Sequence, residues 1–250
     1  MRVLSIDLDY IMGPTIELYN SIHFDHNSST RWRNLFEKTP VGDHNIFMDE
    51  MNLLYCYNTF LKSLKNCDSV SFGYEHDSIL YAISEYDNID LINIDHHDDV
   101  FAADYADDYG DESYEKEYSE IVESGRIHEG NWIAWLISQS KLKSYVWIGN
   151  KNSGNKTRNE VNEKFVPNYL NVERENYNIE NYNFDHIFVC LSPQYVPQKY
   201  WHYLSMFIIA YEEYTGKNAN ISSWSNRKYE SEQRHSKLTN EILHQCSNGR

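Results

Sequence analysis

Short apolar runs alternate along the chain with longer segments in which apolar residues recur at helical spacing. The short runs have the length and composition of buried parallel strands. They lie at residues 2–7, 69–72, 91–94, 144–148 and 186–191. The helical spacing is found over residues 49–65, 77–85, 132–142 and 199–214. This alternation predicts a three-layer α/β fold, in which a mostly parallel sheet carries helices on both faces.

The first predicted helix has the clearest start signal. Asp49 can accept hydrogen bonds from the amides of the first helical turn. Apolar residues follow at roughly helical spacing, namely Met51, Leu54, Phe60, Leu61 and Leu64. The spacing predicts a helix that begins after Asp49 and ends near Lys65.

Two stretches depart from the alternating pattern. Residues 100–125 carry nine acids among 26 positions, which predicts an exposed excursion with a short helix over 112–124 and makes it a candidate lid. From residue 217 onward the chain is polar, with a predicted helix over 226–247. We therefore expect one domain over residues 1–216 and an extension over residues 217–250.

The strand at residues 91–94 runs directly into five side chains that can bind metal, Asp95 to Asp99. Open α/β sheets bind their ligands at this end of the strands. Asp95, His97 and Asp99 are two positions apart and project to one side of an extended chain, whereas His96 and Asp98 project to the other. The alternation predicts three metal ligands and two structural residues. A solvated acidic loop is the competing interpretation.

Two other predicted strands also end in potential ligands. Asp7 and Asp9 end the first, and His76 follows the second. Because the carboxyl ends of neighbouring parallel strands meet at one edge, these side chains are predicted to join Asp95, His97 and Asp99. Six ligands with four carboxylates are too many for one zinc ion. They suit a pair of Mn²⁺ ions bridged by carboxylate and able to ionise a shared water.

The composition adds an electrostatic argument. The 250 residues include 22 Lys and Arg against 38 Asp and Glu, a formal charge of −16. Nucleic acid and anionic membranes are therefore poor partners, whereas a cationic substrate is attracted. Aromatic residues make up 15% of the chain, with 21 Tyr and 6 Trp. Clefts lined by tyrosine suit extended polar ligands such as peptides.

The amino-terminal residues lack the apolar stretch of a secretory signal and already carry an acid at Asp7. No apolar run approaches the length of a bilayer span. The four cysteines show no CxxC spacing, so neither a zinc knuckle nor a disulfide framework is predicted. We therefore expect a cytoplasmic protein.

Five short motifs extend through most of the predicted domain. They are IDLDY at residues 6–10, EHD at 75–77, IDHHDD at 94–99, HEGNW at 128–132 and LSPQYVP at 191–197. In these motifs, over residues 1 to about 215, the chain resembles a group of arginase-like proteins within the ureohydrolases. That group includes peptide arginases of ribosomal-peptide biosynthesis, which hydrolyse arginine side chains of a precursor peptide to ornithine and urea. The resemblance implies an arginase/deacetylase-like fold, two Mn²⁺ ions and an arginine-containing precursor peptide as substrate.

The resemblance also implies a role for each ligand. His76 would bind one manganese ion and His97 the other. Asp95 would bridge the two ions and so take part in catalysis, and Asp99 would complete the first ion's ligands. Asp7 and Asp9 would supply the remaining carboxylates.

The position of that last pair departs from arginase, where the DxD motif comes last along the chain. Here the late strand offers only Ser-Pro-Gln at residues 192–194, and a neutral amide is a poor bridging ligand. The assignment of Asp7 and Asp9 therefore requires the first strand to lie beside the strand that ends at Asp95. The late motif is then left to line the substrate cleft.

The HEGNW motif supplies the remaining roles. His128 resembles the histidine that shuttles a proton in arginase, and would deliver a proton to the leaving amine. Asn131 matches an asparagine that contacts the substrate backbone, and Glu129 would orient the guanidinium. From the residues alone, 128–131 also fits a helix cap in which Asn131 satisfies the first turn.

Other functions fit parts of the pattern. The DHH phosphoesterases have similar motifs and use manganese. This sequence, however, has no cluster of basic residues to bind a phosphate, and its negative net charge disfavours an anionic substrate. A zinc deacetylase of the same fold needs one metal and leaves Asp9 and His76 unexplained. A non-catalytic peptide-binding module with this fold is a further alternative, and metal content would discriminate it.

Overall fold

The computed structural model describes residues 1–13, 48–100, 127, 129–153, 163, 165–179 and 182–222. The predicted helices over 112–124 and 226–247, the candidate lid and His128 lie outside these residues. Within them, no helix is long and apolar enough to cross a bilayer.

Seven strands form one sheet in which every pairing is parallel. They are β1 (Arg2–Asp7), β2 (Cys67–Gly73), β3 (Ile89–Asp95), β4 (Leu142–Gly149), β5 (Tyr169–Val172), β6 (Phe184–Cys190) and β7 (Ile221–Ser222). Their order in the sheet is β5-β4-β3-β1-β6-β2-β7. All five predicted strands are confirmed. The two edge strands, β5 and β7, were not predicted, because short edge strands lack the continuous apolar run of a buried strand.

The β7 strand lies beyond residue 216, where the predicted domain ends. Its two residues pair with Phe72 and Gly73 at the end of β2. The sheet therefore continues into the predicted extension, of which residues 223–250 are outside the described part of the chain.

Among the described residues, four α-helices connect or flank the strands. They are α1 (Glu50–Leu64), α2 (Leu80–Ile83), α3 (Trp132–Ser138) and α4 (His202–Thr215). A 3-10 turn, His76–Ile79, precedes α2, so the helix predicted over 77–85 is shorter and partly 3-10. The prediction that α3 reaches residue 142 is wrong, because Leu142 already pairs with Ile89 as the first residue of β4.

The start of α1 confirms the predicted cap. Asp49 Oδ1 accepts hydrogen bonds from the amides of Met51 (2.9 Å) and Asn52 (3.2 Å). The residues that α1 buries differ, however, from the apolar residues on which the prediction was based. Met51 and Leu54 are 61% and 49% exposed, and the helix instead buries Asn52, Cys56, Thr59, Phe60, Ser63 and Leu64.

The helices cover both faces of the sheet, which confirms the three-layer α/β arrangement. Alternate residues of β1 point to opposite faces. Leu4 belongs to a core that includes Phe60 of α1 and Phe207 of α4. Val3 belongs to a second core that includes Leu80 of α2 and Leu136 of α3.

Candidate metal centre

The β1 strand lies between β3 and β6, with all three running in the same direction. On one side Ile6 pairs with Ile94, and on the other Asp7 pairs with Cys190. The predicted adjacency of the first strand and the strand that ends at Asp95 is therefore confirmed. It brings the carboxyl ends of β1 and β3 to the same level of the sheet.

A first cluster of ligand atoms comes from Asp7, His76 and Asp95, all within 4.8 Å of one another. His76 Nδ1 lies 3.1 Å from Asp7 Oδ2, 3.0 Å from Asp95 Oδ2 and 2.7 Å from Asp99 Oδ2. Whichever form the imidazole takes, Nδ1 carries at most one hydrogen and cannot donate well to three oxygens at once. Three buried carboxylates around one nitrogen therefore indicate a place for a cation.

A second cluster comes from Asp9, Asp95 and His97 under the same distance limit. His97 Nδ1 lies 2.8 Å from Asp9 Oδ2. Asp95 belongs to both clusters. Asp99 belongs to neither three-residue group, but its contact with His76 places it beside the first. The six predicted ligands thus lie together at one edge of the sheet, and the clusters could hold a metal ion.

Backbone amides hold three of the carboxylates in place. The amide of Asp9 donates to Asp7 Oδ1 at 3.0 Å, and the amide of His97 donates to Asp95 Oδ1 at 2.8 Å. The amide of His96 donates to Asp9 Oδ1 at 3.1 Å. Asp7 and Asp95 are therefore oriented by amides of their own segments, and Asp9 by an amide of the segment that follows β3.

Side chains that the sequence reasoning missed complete this support. Ser5 Oγ lies 2.7 Å from His76 Nε2, and Asn93 Nδ2 donates to Asp95 Oδ2 at 3.1 Å. A signal for both was present, since each is a polar residue that interrupts an apolar strand two positions before an aspartate. Two positions place them on the ligand's side of the strand.

Trp132 and Phe188 were also missed, and both lie against the site. Trp132 Nε1 donates to Asp99 Oδ2 at 2.7 Å. The Phe188 ring stacks on His76 at 6.1 Å between centroids. A side chain at Gly73 would meet Phe188 Cζ at 2.6 Å, so glycine at the end of β2 leaves the room that this ring occupies.

Burial and neighbouring charges shift the pKa values of the clustered side chains. Burial, with the charges of Asp99 and Asp7, raises the pKa of Asp95 to about 7. Burial and the charge of Asp95 also raise the pKa of Asp9, and burial raises that of Asp99. For His97, burial acts to lower the pKa, but the Asp9 carboxylate outweighs it and raises the pKa to about 10. Protons thus balance the clustered carboxylates when no cation does.

His97 marks the open side of the site. Its side chain is 20% exposed, whereas those of the other five ligands are 1–5% exposed. The Tyr195 ring lies against His97, with 4.6 Å between centroids. A ligand from solvent would therefore reach the second cluster first, beside an aromatic face.

The remaining predicted residues have mixed positions. His96 and Asp98 contribute no atom to either cluster, and the Asp98 carbonyl accepts a hydrogen bond from the Tyr145 hydroxyl. Glu129 is half-buried in the turn before α3. Asn131 is the N-cap residue of α3, but its side chain makes no capping hydrogen bond, so the predicted side-chain cap is wrong.

A separate cavity of about 510 Å³ lies between α1 and residues 174–179. Its lining includes Tyr55, Lys62 and Arg174 and none of the six ligands. Arg174 is engaged in the wall, where its Nη1 donates to Asn52 Oδ1 at 2.6 Å and its Nε to Glu175. The candidate metal centre is therefore separate from this cavity.

The chain matches no protein-family model, and comparisons with curated proteins and with solved structures each found no match.

Proposed function

We propose that the protein is a dinuclear manganese hydrolase that converts arginine side chains of a precursor peptide to ornithine and urea. The observation that carries the proposal is the position of Asp95, which belongs to both ligand clusters. One carboxylate shared by two groups of ligands is the arrangement that a pair of bridged metal ions needs. The proposal includes an arginase-like form of the three-layer fold and action in the cytoplasm.

The donor set fits this metal. Both clusters offer carboxylate oxygen and imidazole nitrogen and include no thiolate. Carboxylate-rich sites suit Mn²⁺, whereas structural zinc sites favour thiolate and imidazole. The chemistry that the ions supply when bound is the ionisation of water near neutral pH.

The protein's own groups would direct the reaction. Hydrolysis adds one water across the bond between the guanidinium carbon and Nε, so Nε leaves as the primary amine of ornithine and the carbon leaves in urea. The leaving nitrogen needs a proton, and we assign its delivery to His128. Asn131 and Glu129 keep their proposed roles at the substrate backbone and at the guanidinium.

The charges around the site support a cationic substrate. Among the described residues, no Lys or Arg contacts any of the six ligands. Asp77 is buried beside them, and its Oδ1 has no hydrogen-bond partner. Burial, with the charges of Glu75 and Glu129, raises the pKa of Asp77 well above its usual range. A guanidinium beside these carboxyl groups would stabilise their charged forms, whereas a phosphate would destabilise them.

The test uses the full chain loaded with Mn²⁺ and offers three substrates in parallel, namely an arginine-containing peptide, free arginine and a phosphodiester. We expect urea to appear and the peptide to lose about 42 mass units per converted arginine, because metal-assisted hydrolysis turns the arginine side chain into that of ornithine. Protein that holds manganese but leaves every peptide unchanged would refute the hydrolase. Cleavage of the phosphodiester alone would favour the DHH-type alternative, and peptide binding without metal would favour the non-catalytic one.

A further inference from the structure

Ser192 follows β6 and lies next to the first ligand cluster. Its hydroxyl donates a short hydrogen bond of 2.5 Å to Asp7 Oδ2, and the side chain is almost completely buried. The other oxygen of the same carboxylate accepts the amide of Asp9. Both oxygens of Asp7 are therefore held, one by a backbone amide just after β1 and one by a side chain just after β6.

The backbone at Ser192 is strained. Its φ is +45°, a left-handed conformation that glycine adopts readily and that serine, with its Cβ, does not. Surrounding hydrogen bonds impose this conformation. The Ser192 amide donates to the Tyr74 carbonyl at 2.9 Å, and its own carbonyl accepts the amides of Tyr195 and Val196. Local backbone energy alone would favour glycine at this position.

We propose that Ser192 is a positioning residue for the metal centre, which orients the Asp7 carboxylate towards the first cluster. The hydroxyl is what serine offers here and glycine does not, and it contacts a predicted metal ligand. Residues that orient metal ligands in this way typically contribute about 10- to 100-fold to metal affinity. The inference rests on the proposed metal site and is independent of the substrate.

The test compares three variants of the full chain, Ser192→Gly, Ser192→Ala and Ser192→Thr, with the wild-type protein. Manganese affinity is measured by titration calorimetry, bound metal by elemental analysis, and stability by urea unfolding of the metal-free protein. Glycine removes both the strain and the hydroxyl. Threonine keeps the hydroxyl and adds a β-branch that disfavours the left-handed conformation.

The three variants should therefore rank differently in manganese affinity and in stability. We expect Ser192→Gly to be more stable than Ser192→Ala, because both variants lose the hydroxyl and only glycine relieves the strain, yet to bind one of the two metal equivalents about 10- to 100-fold more weakly than the wild-type protein. Ser192→Ala should show a similar loss of affinity. Ser192→Thr should be less stable but keep an affinity within a few fold of the wild type.

If Ser192 had a purely structural role, the manganese affinity of each variant would follow its stability. The less stable threonine variant would then bind manganese more weakly than the glycine variant. Ser192→Gly with wild-type manganese affinity would overturn the proposal on its own, even if the threonine variant does not fold. A manganese affinity of Ser192→Thr as low as that of Ser192→Gly would also count against the proposal. Because no peptide is used, these results do not depend on whether arginine is the substrate.

Discussion

His97 and Asp9 meet at the boundary between two neighbouring strands, with 2.8 Å between His97 Nδ1 and Asp9 Oδ2. Asp9 follows β1 and His97 follows β3, so the contact joins residues 88 positions apart. It belongs to the second cluster, while Asp7 and His76 form the first with Asp95. The two aspartates of the DLD motif therefore serve different clusters, which makes the proposed metal ions separable by mutation.

Replacing Asp9 should remove one metal and leave the other. Asp9→Asn keeps an oxygen that can accept the His96 amide but removes the negative charge that faces His97. We expect metal content to fall from two equivalents to one and the turnover of an arginine peptide to fall by more than about 100-fold. Elemental analysis and a peptide mass assay measure the two effects. Two tightly bound equivalents in this variant would contradict the assignment of Asp9.

Replacing Asp95 should affect both metals, because it is the shared ligand. Asp95→Asn is expected to abolish turnover and to leave less than one equivalent of manganese. Asp98→Asn is the matched control, since it changes a buried aspartate of the same motif that belongs to neither cluster. Equal losses in the two variants would indicate damage to the loop rather than loss of a ligand.

The effect of manganese on stability should depend on pH. The folded-state pKa of Asp95 is raised to about 7, and that of His97 to about 10. A group with a raised folded pKa stabilises the metal-free protein below its unfolded pKa, and this contribution is lost as pH rises through the folded pKa. For Asp95 the loss extends from about pH 4 to 7, and for His97 from about pH 6.5 to 10.

Manganese competes with these protons, so its binding strengthens over the same pH range. We expect saturating Mn²⁺ to raise the unfolding temperature more at pH 8 than at pH 6, as measured by thermal unfolding with and without a chelator. Asp95→Asn should show little increase at either pH. An equal increase at both values in the wild-type protein would mean that the metal does not displace these protons.

The cap of α1 gives a test of the fold that is independent of the metal centre. Asp49→Ala removes the acceptor for the Met51 and Asn52 amides and should lower the free energy of unfolding by about 1 kcal/mol. Asp49→Asn keeps an acceptor oxygen and should stay close to the wild type. Urea unfolding of the three proteins measures the difference, and an unchanged Asp49→Ala would show that the cap adds no stability.

The periodicity of apolar residues determines much of the fold. Buried parallel strands read as continuous apolar runs, so β1, β2, β3, β4 and β6 were predicted from residues alone. The edge strands β5 and β7 were not predicted, because they are short and their position depends on pairing with a neighbouring strand. The prediction of the buried face of α1 was also wrong. In the folded chain Asn52 and Thr59 are buried and Met51 is exposed.

The candidate site divides in the same way. The sequence by itself determined which residues could be ligands, because their chemistry and their place after apolar strands are local properties. Only the tertiary structure decided that β1 lies beside β3, that Asp95 belongs to both clusters and that Ser192 bonds to Asp7. Each of these contacts joins residues that are far apart along the chain. The order of the strands in the sheet brings such residues together, and no local sequence pattern specifies that order.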